Sequence, residues 1–441
     1  MTLALAAALI APLAGAPARA AETTVPVEAI TTPMGLEAWM VREESVPVIV
    51  VEAAFPHGSA RDPAGREGLA VFTAALLDEG AGPHDSLAFR TLLEDNSIGL
   101  SFSADRDATY VTLTTLPTNV DLATELLALA LTKARFDAEP ISRIRSQLLV
   151  QIARAEEDPA QRASLLFFKS LFGDHPYGRP TIGTAQSIAA ITPADLKAFA
   201  ADMLTREGLK ISVVGNLEAE AVAALIDATF GQLPAGAPRP SIPEAELRNL
   251  GEVVVDLADN PQTVAYVGTR GIKRDDPDFV PAFVMNYMLG GGGFASRLME
   301  EVREKRGLAY SVSSGLVALK HAGVLIARVG TENASAAESL RLIAAEFARM
   351  GEAGVGEEEL EGAKLYLTGS YPLRFDSNAK IARELLDIQI DDLGIGYINV
   401  RNELIEAVTQ EDIARVARRL LADPALLVVA VGRPEGLSPT R

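Results

Sequence analysis

Four histidines, no cysteine and a scatter of acids bound the chemistry open to this chain. His57, His84, His175 and His321 show no spacing that makes a helical i, i+4 pair of the kind that grips a metal ion. His57 and His175 fall in loops, where a lone histidine is expected to be solvated or bonded to a turn. Without thiols there is no thiolate zinc site and no disulfide. His57 stands two residues before Ser59, but no G-x-S-x-G elbow accompanies them, so serine hydrolysis is set aside. Gly290, Gly291, Gly292 and Gly293 form a run with no G-K-[ST] after it. That excludes a phosphate-cradling loop and leaves a turn into a helix.

Those residues need elements to hold them. The stretch "LGGGGFASRLMEEVREKRGLAYSVSSG" (289–315) reads as the glycine turn, a helix from about Ser296 to Lys305, a stop at Gly307 and an alternating strand. The stretch "GREGLAVFTAALLDEG" (65–80) predicts a helix over 67–79. Leu69, Val71, Phe72, Ala75, Leu76 and Leu77 make it apolar on nearly all sides, which is the pattern of a buried helix. It carries no acid until Asp78. In "EAGVGEEELEGAK" (352–364), Glu357 to Glu359 suit the positive end of a helix dipole.

The chain has 441 residues, 48% hydrophobic and 22% charged, which suits a globular protein of two domains or more. A net charge of −19, with acids spread along the chain, argues against nucleic acid as a partner. Residues 1–21 are an Ala/Leu run ending in the small-residue pattern Ala18-Arg19-Ala20, the anatomy of an export signal cleaved near Ala20 or Ala21. No second long apolar segment suggests a membrane span.

An internal repeat organises the rest. "ITPADLKAFAADMLTREGLKISVVG" (191–215) and "VTQEDIARVARRLLADPALLVVAVG" (408–432) share a Thr cap, an Asp three residues on, an amphipathic helix and a strand ending in glycine. Thr192 and Thr409, Asp195 and Asp412, and Gly215 and Gly432 are each 217 residues apart. "FDAEPISRIRSQLL" (136–149) and "VGEEELEGAKLYLT" (355–368) form a second pair, with 219 residues between Ile141 and Leu360. Strands at 46–55, 108–116, 263–271 and 323–330 alternate with helices, so each half is expected to lay helices on a sheet. Domains follow at 22–235 and 251–441, joined by a Pro/Ala-rich extended linker around 236–250.

The 289–315 stretch, together with "HGSARDPAGREGLA" (57–70) and "FGDHPYGRPTIGT" (172–184), resembles the M16 (pitrilysin or insulinase-type) zinc peptidases over nearly the whole mature chain. The resemblance implies an α+β fold of two duplicated domains, each a mixed sheet packed against helices. It also implies an H-x-x-E-H zinc helix in the first domain, whose positions here are Val71, Ala74 and Ala75, with a downstream glutamate ligand replaced by Gln151. Methyl groups cannot bind Zn²⁺, and a neutral amide is a poor substitute for a carboxylate. In this family an Arg and a Tyr seven residues apart in the second domain reach the substrate. The matching residues are Arg303 and Tyr310, both donors to carbonyl oxygens. A glycine-rich loop at the position of Gly290 to Gly293 contacts substrate in one non-catalytic relative.

Taken without the resemblance, Arg303 would pair with Glu300 on a helix surface and Tyr310 would pack on the core. With it, the expectation is a periplasmic, metal-free subunit that is inactive alone. It would bind peptides and lend Arg303 and Tyr310 in trans to a zinc-bearing M16 partner. The alternative is a structural or peptide-holding scaffold that does no proteolysis.

Overall fold

The computed structural model describes residues 25–440, so the export-signal reading of residues 1–21 lies outside the described residues. The strands expected at 46–55, 108–116, 263–271 and 323–330, after Gly307 and before Gly215 and Gly432 all form, and four more join them. The first half supplies β1 (Val27–Thr31), β2 (Glu37–Arg42), β3 (Ile49–Phe55), β4 (Gly99–Ala104), β5 (Thr109–Thr115) and β6 (Lys210–Gly215). The second supplies β7 (Val253–Leu257), β8 (Gln262–Arg270), β9 (Ala309–Leu319), β10 (Ala322–Glu332) and β11 (Leu427–Gly432). Their orders are β1-β2-β6-β3-β5-β4 and β7-β11-β8-β10-β9. Apart from β1, the two sheets match strand for strand. In each, one parallel pair (β2 with β6, β7 with β11) joins an otherwise antiparallel sheet. Both repeated helices start on the same capping box, Thr192 with Asp195 and Thr409 with Asp412.

Strand β3 is buried along its whole length, which requires cover on both faces of its sheet. One face meets helices of its own half, around Phe72, Leu127 and Leu196. The other face is closed from the second half, by the helix Asn378–Ile390, whose Ile381, Leu385 and Ile388 pack on Val41, Val50 and Val214. Ser212 donates to Ala382 O (2.7 Å) and Gln389 to Ile211 O (3.0 Å), so the polar groups trapped at this contact are paired. The reverse exchange covers the second sheet. The helix Pro159–Phe172 of the first half places Phe167 and Leu171 against Tyr266, Val324 and Val429. These two helices start 219 residues apart, so the repeat trades equivalent helices between its sheets.

Segment 234–249 contains no helix or strand, in keeping with an extended linker. It is nevertheless tied down along its length. Arg61 donates to Pro240 O (3.1 Å), Ala245 N to His321 O (2.8 Å) and Arg248 N to Leu171 O (2.8 Å). Among the described residues no helix is long and apolar enough to cross a membrane.

The helix expected over 67–79 is shorter, Leu69–Ala74. Gly68 enters it in a left-handed conformation (φ +91°), and after Ala75 the chain tightens into i→i+3 turns through Leu76, Leu77 and Glu79. Both ends are held by distant groups. Asp62 accepts from the N–H groups of Gly68 and Ala70 (2.8 and 2.9 Å), and Glu79 is bridged to Arg143. Burial follows the expectation, since Leu69, Phe72, Leu76 and Leu77 are all in the core.

Candidate functional site

The glycine run closes a helix and opens the stretch that bears Arg303. Helix Phe279–Asn286 widens into a π-helical turn, Tyr287–Gly291, followed by a 3-10 turn at Gly293–Ala295 and a second π-helical stretch, Met299–Glu304. The helix expected over 296–305 is therefore present but largely π in its hydrogen bonding. π turns are rare, and they concentrate at functional positions. Two glycines have specific reasons to be there. A methyl on Gly290 would lie 2.5 Å from Ser314 Oγ and 2.6 Å from Ser314 N, so only hydrogen lets the turn sit on β9. Gly293 has φ +58°, the left-handed region. Gly290 is buried in this contact, which narrows the expected substrate-facing backbone to Gly291, Gly292 and Gly293.

The second π stretch is clamped from α-helical neighbours. Arg297 makes two hydrogen bonds to Glu359 (2.7 and 2.6 Å) and one to Gly354 O (2.9 Å). Glu359, expected to serve the helix dipole, thus also fixes the strand-ward turn of the site. Lys305 and Arg306 both bond Glu301 (2.7 and 2.6 Å), and these bonds hold its carboxyl down at about 2. Lys305 also takes Glu300 (2.9 Å).

Arg303 is left over. Its supposed partner Glu300 is committed to Lys305, and the nearest carboxylate, Glu304, is 3.9 Å away. Among the described residues no acceptor lies within hydrogen-bonding distance of its guanidinium. Instead the cation lies over two rings, with Cζ 4.7 Å from the centre of Phe294 and 5.6 Å from that of Tyr310. Tyr310 is 81% exposed, so it does not pack on the core. It is the second residue of β9, an edge strand, three residues after the left-handed Gly307 (φ +63°). The site therefore pairs a guanidinium that makes no hydrogen bond with an exposed phenol, beside a glycine turn.

The far end of the β9–β10 hairpin is fixed by the first half. Tyr177, in the "FGDHPYGRP" stretch, donates to Asp107 (2.5 Å) and accepts from His321 N (3.2 Å), while Lys320 N donates to Asp107 (3.2 Å). Phe294 was not singled out by sequence reasoning. The only signal was a large apolar residue directly after a glycine run, where a solvated turn was expected.

The positions of the zinc helix hold no donor. Val71 and Ala75 are partly buried neighbours, joined by the Ala75 N to Val71 O bond (3.0 Å), and Ala74 is buried. Gln151 is exposed on the helix Ala138–Glu157, whose Ile144, Leu148 and Ile152 face the core. A zinc ion does not fit this set of methyl groups and one amide. The acids that follow the helix are tied up or buried. Glu79 bonds Arg143 (3.1 and 2.5 Å) and Ser86 (2.6 Å), and burial pushes Asp78 up to about 6. Among the described residues no three His, Asp or Glu side chains are grouped to hold a metal ion.

The histidines are dispersed, and one contradicts its expected setting. His57 is 3% exposed rather than solvated, packed edge-to-face on Phe199 (4.7 Å) with Asp202 3.6 Å from Nδ1. Burial, reinforced by Arg239, brings it down to about 4. His175 bonds Pro243 O (3.0 Å) beside Tyr177, so it serves the linker.

Comparison with known proteins agrees with this geometry. Residues 42–185 match the family Insulinase (Peptidase family M16), and residues 190–367 match Peptidase M16 inactive domain. An uncharacterized zinc protease of Mycobacterium tuberculosis (strain H37Rv) is 32% identical over 314 residues, 70% of each chain. The non-peptidase homolog YmxG of Helicobacter pylori is 30% identical over 334 residues, 75% of this chain and 76% of that one. The crystal structure of a peptidase M16 inactive domain from Pseudomonas fluorescens superposes with a TM-score of 0.88 at 29% identity, covering 94% of this chain and all of the other. With both halves matched and the duplicated α+β fold in place, the chain belongs to the M16 peptidase family, as a member without the residues of a zinc site.

Proposed function

We propose that this chain is the metal-free subunit of a two-chain periplasmic M16 peptidase, inactive alone, whose Arg303 and Tyr310 act on a peptide bound at a zinc-bearing partner. One contrast carries the reading. The positions that would hold zinc present methyl groups and an amide, while Arg303, whose one carboxylate contact is a long one to Glu304 (3.9 Å), donates no hydrogen bond and lies next to an 81% exposed Tyr310. A guanidinium held only by so long a contact has its donors free for an incoming acceptor. A peptide carbonyl supplies one, and the exposed backbone of Gly291 to Gly293 lets a chain approach closely.

Donors aimed where negative charge develops stabilise the transition state more than the ground state, each by about 3 kcal/mol. Metal chemistry belongs to the partner, and no step in this chain runs through a cofactor. The test is reconstitution with the zinc-bearing chain co-purified from the same cell. Arg303→Ala or Tyr310→Phe, made in this chain only, is expected to cut turnover of the pair roughly 10²–10³-fold. Unchanged turnover rejects the reading and leaves this chain a scaffold that takes no part in the cleavage.

A further inference from the structure

Among the described residues the most exposed aromatic side chains are Tyr310 (81%), Phe294 (68%) and Tyr366 (59%). Each is linked to the glycine turn directly or through one neighbour. Phe294 follows Gly293 directly, and its ring and that of Tyr310 both lie within cation–π distance of the Arg303 guanidinium. Tyr366, on the helix Glu357–Gly369, stacks on Tyr287 (5.2 Å between ring centres), and a methyl added at Gly292 would meet that ring at 3.0 Å. Aromatic rings left in water forgo their burial energy, so their gathering at one turn calls for something that covers them.

The cation in their midst narrows what that is. Of the acids beside Arg303, Glu300 is engaged by Lys305 and Glu301 by Lys305 and Arg306, and Glu304 reaches Arg303 only at 3.9 Å, so the guanidinium makes no hydrogen bond. Two rings within cation–π distance of a guanidinium that makes no hydrogen bond leave its N–H groups available to an acceptor. The surface therefore offers charged donors beside exposed aromatic rings, complementary to a main-chain carbonyl with a bulky apolar side chain beside it.

We propose that Phe294 is a specificity-determining residue, which with Tyr310 selects extended peptides bearing a large apolar side chain next to the carbonyl bound by Arg303. The proposal rests on the reading of Arg303 and Tyr310 as peptide-binding groups and adds the substrate class. Phe294 also holds the guanidinium plane, so its loss affects where Arg303 points as well as what it accepts.

The test uses the isolated full chain and two short dye-labelled Gly/Ser peptides, one with a central Phe and one with a central Ser, followed by fluorescence anisotropy. The wild type is expected to bind the Phe probe roughly 10-fold more tightly, about 1.4 kcal/mol. Phe294→Ser should bring the two affinities together, Phe294→Leu should restore most of the gap, and Arg303→Gln should weaken both probes alike. Phe294 is exposed, so these variants should fold, which their circular dichroism melts would check. Equal wild-type affinities that still depend on Arg303 would overturn the apolar selection while sparing the peptide-binding role. A gap that survives Phe294→Ser would also overturn it, and no binding of either probe would overturn both.

Discussion

If the halves are one cooperative body, a substitution in the exchanged helix must be felt in both sheets, and Phe167 with Gly268 measures this. Phe167 belongs to the first half but is fully buried on the second sheet, between Phe168 (5.7 Å) and Tyr266 (5.6 Å). Its ring occupies the place of a side chain on β8, because a methyl on Gly268 would meet Phe167 Cζ at 2.2 Å and Cε2 at 2.7 Å. Phe167→Ala removes the ring and should cost about 3–5 kcal/mol. Gly268→Ala overpacks the same spot and should cost about 1–3 kcal/mol. In the double variant the new methyl enters the vacated space, so the total should fall short of the sum by at least about 1 kcal/mol. Urea unfolding gives all four values, read from far-UV circular dichroism and from Trp39, the sole tryptophan. Trp39 lies in the first sheet, against the helix exchanged in the other direction. Additive costs would refute the packing argument, and a Trp39 midpoint that ignores Phe167→Ala would refute the coupling of the halves.

Two further outcomes follow. His57 sits at about 4, below its unfolded value, so its contribution to stability is full above about pH 6.5 and is lost as pH falls toward 4. Wild type should lose roughly 2.5 kcal/mol more than His57→Phe between pH 7 and 4.5 in urea melts, and identical losses would place the pH dependence elsewhere. At the glycine turn, Gly290→Ala forces a methyl onto the β9 backbone and should cost about 1–3 kcal/mol, whereas Gly293→Ala pays only for its left-handed backbone, about 1 kcal/mol. The reverse order in thermal melts would mean that the turn is not packed on Ser314.

Much of this was legible in the residues. The 217-residue spacing of Thr192/Thr409 and Gly215/Gly432 announced the duplication, and both Thr residues head capping boxes because that bond closes within four residues of chain. The strands were legible because side-chain period is a local property. Less visible were the shortness of the 69–74 helix, where Asp62 six residues upstream takes the first N–H groups and remote Arg143 holds Glu79 beyond its end, and the burial of His57, whose neighbours Phe199 and Asp202 lie more than a hundred residues away.

By itself, then, the order of residues determined that Val71, Ala74, Ala75 and Gln151 offer no zinc site, since donor chemistry is a property of each side chain whatever the fold. It also determined the repeat, and with it two similar sheets. Tertiary structure alone decided that equivalent helices change places between those sheets, because which apolar face covers which depends on contacts across about half the chain. It decided too that Arg303 lies over Phe294 and Tyr310 with only a 3.9 Å contact to Glu304. A helix-surface arginine has several acids within reach, and the three-dimensional arrangement of Lys305 and Arg306 takes Glu300 and Glu301 away.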